Sequence, residues 1–346
     1  MAGKRQHYIP RFLQRGFLTG DLKKQNTYMY LNGGGVRSSN INNVGVEGFF
    51  YSIDGDAELD DMYTNLENDY ASIINKIRVH SFNELNSSDL AKIIGHFEVR
   101  TNNLRKSFLS SSTLFLDKMA DAFLDINVLN SLILNELKKK FLKGGIIDNV
   151  FNNLEIHGQD RDALFERILP MIEVNIEHYL KFSIEPIKNS FKLAVNERLK
   201  DVIKKGHIDG MLKPVSENKK LKIYESLDYG IINTDFSLIL SDSMVIFEFE
   251  NIKDFKPFYD IKNTLKSVYL PISANILIYG TKDNSVPNLK VINEMSAKCS
   301  SDFFIASEIS SDFSSLQHYI GKNCALLTDS EMKIILKDVI REQLSQ

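Results

Sequence analysis

The chain has 346 residues, 43% of them hydrophobic and 25% charged. That is enough apolar material for one large domain or two ordinary ones, and it excludes the disordered, collagen-like and disulfide-scaffold classes. Lysine and arginine number 42 against 45 aspartates and glutamates, and a net charge of -3 argues against a surface given over to gripping nucleic acid, though local basic patches stay open. The two cysteines, Cys299 and Cys324, make neither a disulfide framework nor a CxxC pair. The N-terminus lacks the apolar core of a signal peptide, and Lys266 and Pro271 interrupt the apolar-leaning stretch from Leu265 to Gly280. A cytoplasmic protein with no membrane span is expected.

In chain order, residues 25–31 read as a strand running into the turn Asn32-Gly33-Gly34-Gly35, and Val44 to Tyr51 as another extended piece. Leu59, Met62, Tyr63, Leu66, Tyr70, Ile73, Ile74 and Ile77 recur at spacings of three and four, which predicts a helix with one buried face. Leu90, Ile93, Ile94, Phe97, Thr101, Leu104 and Phe108 predict a second. Further helices are expected over 113–142, 161–176 and 184–205, with Pro170 and Pro186 breaking or starting them. From Leu221 the pattern turns β-rich: 221–225, 230–240 and 244–250, the last two joined by a hairpin turn at Ser241-Asp242-Ser243, then 275–279. Helices are expected again at 291–299 and 329–343. The fold class is α+β: a predominantly helical central region with a small mixed or antiparallel C-terminal sheet. The regions expected are an N-terminal docking segment (1–55), a helical region (56–215) and an α+β C-terminal region (216–346).

His7-Tyr8-Ile9-Pro10-Arg11-Phe12, closing on Phe17, resembles the opening of bacterial domain-of-unknown-function family 4238. Glu98-Val99-Arg100-Thr101 resembles that family's helical Arg-Thr motif. Ile231-Ile232-Asn233-Thr234-Asp235-Phe236-Ser237 resembles its strand-and-turn block, Leu270-Pro271-Ile272-Ser273 its Pro-Leu-Ser block, and Asn293 stands where a family asparagine opens a late helix. Asn102, Phe236-Ser237 and Phe97 depart from the pattern, as in a divergent member. The resemblance spans about residues 5–310. It implies convergence of His7, Arg100 and Asp235 and an association with mobile or defence genes, but it carries no settled activity.

The residues themselves offer several chemistries. His7 suits a general acid or base; the alternative is a docked segment with the imidazole satisfied by a backbone carbonyl. His96, Arg100 and Asn103 share a helical face at the core edge. Arg100 there needs an anion, either a substrate phosphate or a structural carboxylate such as Asp235. Catalysis is therefore assigned to His7, Arg100 and Asp235, and substrate binding to His96, Thr101, Asn103 and Thr234. Residues 233–240, a turn and residues 245–250 also resemble the catalytic hairpin of PD-(D/E)xK nucleases. In that case Asp235, Glu248 and Glu250 would hold Mg²⁺, although Glu250 replaces the usual lysine. The alternative is a solvated edge hairpin.

Other patterns are weaker. The run from Glu47 to Asp69 holds eight carboxylates and no lysine or arginine. The calcium loop hinted at by Asp54-Gly55-Asp56 fails, with Leu59 and Asn65 where glycine and glutamate are required. Residues 192–224 carry nine cations against four carboxylates, a patch able to hold phosphate or simply to be solvated. No HExxH, GxSxG, GxGxxG or Walker motif is present. The expected function is a bacterial effector acting on nucleic acid or another phosphate-containing substrate, a defence or toxin nuclease. The alternative is a non-catalytic binding or sensor module for a partner protein or phage component.

Overall fold

A computed structural model describes residues 5–53, 55–79, 86–143, 152–155, 158–213, 219–283, 286–327, 331–335 and 337–338. Asp54 of the calcium-loop pattern and most of the expected 329–343 helix lie outside them; residues 331–335 and 337–338 are helical. The chain divides into two compact units, Met1–Leu109 with Val202–Thr328 and Ser110–Asp201 with Asp329–Gln346. The fold is α+β.

The first unit opens with strand β1 (Arg5–His7) and helix α1 (Arg11–Gln14). Strands β2 (Asn26–Leu31), β3 (Val36–Asn40) and β4 (Val46–Gly48) follow, then helices α2 (Glu58–Arg78), α3 (Ser87–Val99) and α4 (Asn102–Phe123). Strand β1 pairs antiparallel with β4. The segment from Tyr8 to Phe17 docks as its aromatic residues require: Tyr8, Ile9, Phe12, Leu13 and Phe17 are buried in the main core. Arg78 at the end of α2 clamps it, donating to the carbonyls of Phe12 (2.8 Å), Leu13 (3.0 Å) and Ile272 (2.9 Å from Nε). Gly16 lies so close to the strand carrying Ile272 that an added Cβ would sit 2.1 Å from the Ile272 carbonyl oxygen, which leaves no room for a side chain.

The expected single helix from Leu90 to Phe108 is two. It ends at the C-cap, Arg100, and restarts after Thr101, whose Oγ1 accepts the Leu104 N–H (3.2 Å) in N-cap fashion. Helix α5 (Ile126–Lys143) and helix α6 (Gly158–Leu212) follow. The helices expected over 161–176 and 184–205 are one continuous helix through both prolines. Each proline removes only its own N–H bond, and the turns on either side keep theirs.

Residues 221–225 form helix α7 (Leu221–Glu225), not a strand, because Leu221 and Tyr224 at i, i+3 both turn inward beside α3. Strands β5 (Asp228–Asn233), β6 (Leu240–Ser241), β7 (Ile246–Phe249), β8 (Leu265–Ser273) and β9 (Ile276–Thr281) lead to helix α8 (Ile292–Cys299), strand β10 (Phe303–Ala306) and helix α9 (Ser311–Leu316). One antiparallel sheet has the order β5-β9-β8-β7, and the other, β3-β2-β10-β6, joins strands from both ends of the chain. The expected hairpin of residues 230–240 with 244–250 therefore does not exist: β5 and β7 are opposite edges of one sheet, and β6 belongs to the other. Among the described residues, no helix is long and apolar enough to cross a membrane.

Candidate functional site

The polar residues singled out in the sequence lead to a buried network around the α3–α4 junction. Ending α3 at Arg100 turns its side chain toward the N-terminal segment, where it is 0% exposed. All five of its N–H groups are used. Nε donates to the Tyr51 hydroxyl (3.0 Å); Nη2 donates to the same hydroxyl (2.6 Å) and to the His7 carbonyl (2.7 Å). Nη1 donates to Nε2 of His96 (3.1 Å) and meets Oε1 of Glu67 (2.7 Å). The guanidinium carbon also lies 5.6 Å from the Tyr51 ring centre and 5.2 Å from that of Tyr63. Burial alone would lower the pKa of this cation, but Tyr51, Glu67 and Tyr63 more than offset that, so it is raised and the charge is kept.

His7 and Arg100 do come together, but through the His7 backbone. The His7 carbonyl accepts from Arg100 and from the Tyr51 hydroxyl (2.7 Å), which fills both lone pairs. The His7 ring is half-buried, and its Nε2–H donates to the Ile41 carbonyl (3.3 Å). Burial and then Arg11 lower its pKa, with the backbone groups of Ile41 and Asn42 and then Glu67 opposing, so the imidazole is neutral around pH 7. His96 is fully buried against Tyr63 and Tyr70, and its pKa falls well below the ordinary value through burial and then Arg100. Because a guanidinium only donates, Nε2 of His96 must accept; its proton sits on Nδ1, which has no hydrogen-bond partner among the described residues.

The remaining expected residues have structural partners or none. Thr101 caps α4. Asn103, on the far side of the helix break from His96 and Arg100, donates to the Ser243 hydroxyl (2.6 Å) and the Cys299 carbonyl (3.1 Å). Thr234 closes its own turn, Oγ1 to the Phe236 carbonyl (2.7 Å). Asp235 is exposed in that turn and forms no ion pair among the described residues; the carboxylate expected beside Arg100 is supplied by Glu67 instead. The three carboxylates expected around Mg²⁺ do not gather. Asp235 follows β5 and Glu248 lies on β7, with two strands between them, roughly 14 Å of sheet. A register shift at Glu248/Phe249 breaks the alternation that would have aligned Glu248 with Glu250. Glu248 is held by Lys266 (2.8 Å) and the Tyr269 hydroxyl (2.5 Å), while Glu250 is exposed. Among the described residues, no group of three or more His, Cys, Asp or Glu is placed to hold a metal ion.

Several members of the network escaped the sequence reading. Glu98 is buried and accepts from Lys220 (2.6 Å), the Tyr224 hydroxyl (2.6 Å) and the Tyr259 backbone N–H (2.8 Å), tying α3 to α7 and to the segment before β8. Arg105 donates to Nδ1 of His207 (3.1 Å) and to the Phe50 carbonyl (2.7 Å), with Glu47 at 3.6 Å. His207 in turn donates to the Val99 carbonyl (2.6 Å), and burial, then Arg105, brings its pKa down to about 4. Asp242 accepts the backbone N–H groups of Ser301 (2.8 Å), Asp302 (2.7 Å) and Phe303 (3.3 Å), while burial pushes its carboxyl up to about 7 against them. A signal for Glu67 was present: it lies four residues after Tyr63 and three before Tyr70 on the apolar stripe of α2.

The blocks that carry the resemblance are thus joints. Glu98 faces the C-terminal elements and Arg100 the N-terminal segment, and Asn293 holds the crossover between sheets, accepting from Ile239 N–H (3.1 Å) and donating to the Ser237 carbonyl (2.8 Å). No curated protein and no solved structure matches the chain. A family model described as "Protein of unknown function (DUF4238)" matches residues 5–313, nearly the whole of this framework, and the chain belongs to that family.

Proposed function

We propose that the chain is a non-catalytic recognition module for a partner protein. The observation that carries this reading is the saturation of Arg100. The group best suited to grip a substrate phosphate is fully buried and has all five donors committed to protein atoms. The carboxylates that could serve hydrolysis stand on opposite sheet edges. The helical unit meanwhile exposes large apolar side chains such as Val128, Leu132 and Tyr179, the kind of surface that protein partners cover.

A second reading, a bacterial effector acting on nucleic acid or another phosphate compound in defence or as a toxin, is favoured by one observation. The half-buried His7 ring is a neutral base with Arg11 close enough to depress its pKa, so a base and a cation share one edge of the molecule. Incubating the purified chain with labelled RNA and DNA, with and without Mg²⁺, separates the two. The recognition reading expects intact substrate throughout; cleavage that disappears in His7→Ala overturns it.

A further inference from the structure

The edge of the first unit around residues 40–43 gathers cations that the network at Arg100 does not use. Arg5 and His7 are two residues apart on β1, so their side chains share one face of it. Arg5 and Arg11 are exposed, and both reach the same exposed residue, Asn42. Nη2 of Arg5 donates to the Asn42 carbonyl (3.3 Å) and to Oδ1 of Asn43 (2.7 Å), and Nη1 of Arg11 donates to Oδ1 of Asn42 (3.1 Å). His7 meets the preceding carbonyl, that of Ile41. Among the described residues neither arginine forms an ion pair. Glu47 stands opposite Gln6, on the other face of the β1–β4 ribbon and beside Arg105, and Glu67 is held by Arg100. A guanidinium only donates, so the oxygens of both asparagine amides are turned to the arginines, and their NH2 groups have no acceptor among the described residues. The surface thus offers donors without acceptors, and two like charges lie side by side with no carboxylate to offset their repulsion.

We infer that this edge is a binding site for the phosphate backbone of a nucleic acid, with Arg5 and Arg11 as its anchors. A surface of donors fits an oxyanion. Donors converging from two arginines and two amides fit a tetrahedral phosphate, with oxygens in several directions, better than a planar carboxylate. The patch also extends beyond one phosphate. Residues 5–46 carry six cations and a single carboxylate, Asp21, in a chain whose net charge is -3. Asp21 pairs at the surface with Lys24 (3.3 Å), whose carbonyl accepts from the Asn40 side chain (2.7 Å), two residues before Asn42. Arg37 lies three residues before Asn40 on β3, roughly 10 Å along the strand. A row of charges suits a polyanion, whereas a phosphoserine of a partner protein would occupy the Asn42 end alone. The site binds whether or not His7 cleaves, so the inference goes beyond both readings of function and rests on neither.

Fluorescence anisotropy of the full chain with labelled single-stranded RNA or DNA, in EDTA to keep the strand intact, tests this. The dissociation constant should be about 1–100 μM at physiological salt and should tighten as salt falls. Arg5→Gln and Arg11→Gln should each weaken binding about tenfold and reduce the slope of log affinity against log salt by about one, and Arg37→Gln, further along the patch, should weaken it about threefold. All three should keep the circular dichroism spectrum and thermal melt of the parent. Lys262→Gln removes the same charge from an exposed position before β8 and should leave binding as it was. Inorganic phosphate at matched ionic strength should displace the strand poorly, because it fills only one end of the patch. A chain that binds neither RNA nor DNA at low salt overturns the inference. So does binding indifferent to the arginine substitutions, full displacement by millimolar phosphate, or capture of a phosphopeptide or of anionic vesicles in place of the oligonucleotide.

Discussion

The two units of the chain handle awkward residues in opposite ways. Around the α3–α4 junction, charges lie inside: Glu98, Arg100 and Arg105 are each at most 9% exposed, and each is matched by hydrogen-bonding partners from distant parts of the sequence. On α6, apolar side chains lie outside, with Met171 and Phe182 about two-thirds exposed. A buried charge is tolerable only where the fold supplies partners for it, so the first region reads as a structural joint. An apolar side chain left in solvent needs no partner to satisfy it, so the second region carries no such network. Inspecting residue types alone points the other way, toward arginines and carboxylates as the working groups.

The sharpest way to break this contrast is Arg100→Ala. It leaves Glu67 without its cation and removes one of the two donors to the His7 carbonyl and both guanidinium donors to the Tyr51 hydroxyl, and should cost about 3–5 kcal/mol in a urea melt. A folded Arg100→Ala chain that merely lost an activity would restore Arg100 as a working group. A second test is acid. His207 titrates near 4 when folded against an ordinary value of about 6.5, so the unfolded chain binds the extra proton between those values. Stability is full above pH 6.5 and falls as pH drops toward 4, by about 3 kcal/mol from this residue, and the depressed pKa of His96 acts in the same direction. Asp242, pushed up to about 7, opposes this by gaining stability as pH falls through the same window. The His207 contribution is therefore read as the difference between thermal melts of the parent and of His207→Gln, which should shift in favour of the variant from pH 6.5 to pH 4.

Smaller effects sharpen the picture. Gly16→Ala forces a methyl group against the Ile272 carbonyl and should destabilise by about 1–3 kcal/mol, read as a lower denaturant midpoint. Glu248→Gln keeps the size of the side chain and loses only part of the half-exposed Lys266 pair. It should change stability by about 1 kcal/mol or less; a large loss of Mg²⁺-dependent cleavage in that variant would revive the carboxylate site that the sheet order separates.

The periodicity of α2 and the docking of Tyr8, Phe12 and Phe17 were readable in the sequence because burying apolar area imposes its own spacing. The helix break at Arg100–Thr101 was not, since Leu90 to Phe108 keeps its three-and-four rhythm across it. Nor was β8 readable as one of the two central strands of its sheet, because being buried on both faces erases the alternation that marks a strand.

For the site, the sequence by itself singled out His7, Arg100 and Thr101, which sit at joints of the framework, and left out Glu98, which sits at another. What each does was decided only by the tertiary structure. A guanidinium at a core edge demands an anion, but local spacing does not choose among forty-five carboxylates. The choice of Glu67 over Asp235 follows from how α2 and the N-terminal segment close over α3, while β5 and β7 are driven to opposite edges of their sheet. Pairing partners are long-range properties, fixed by packing and strand order, and no local pattern of residues encodes them.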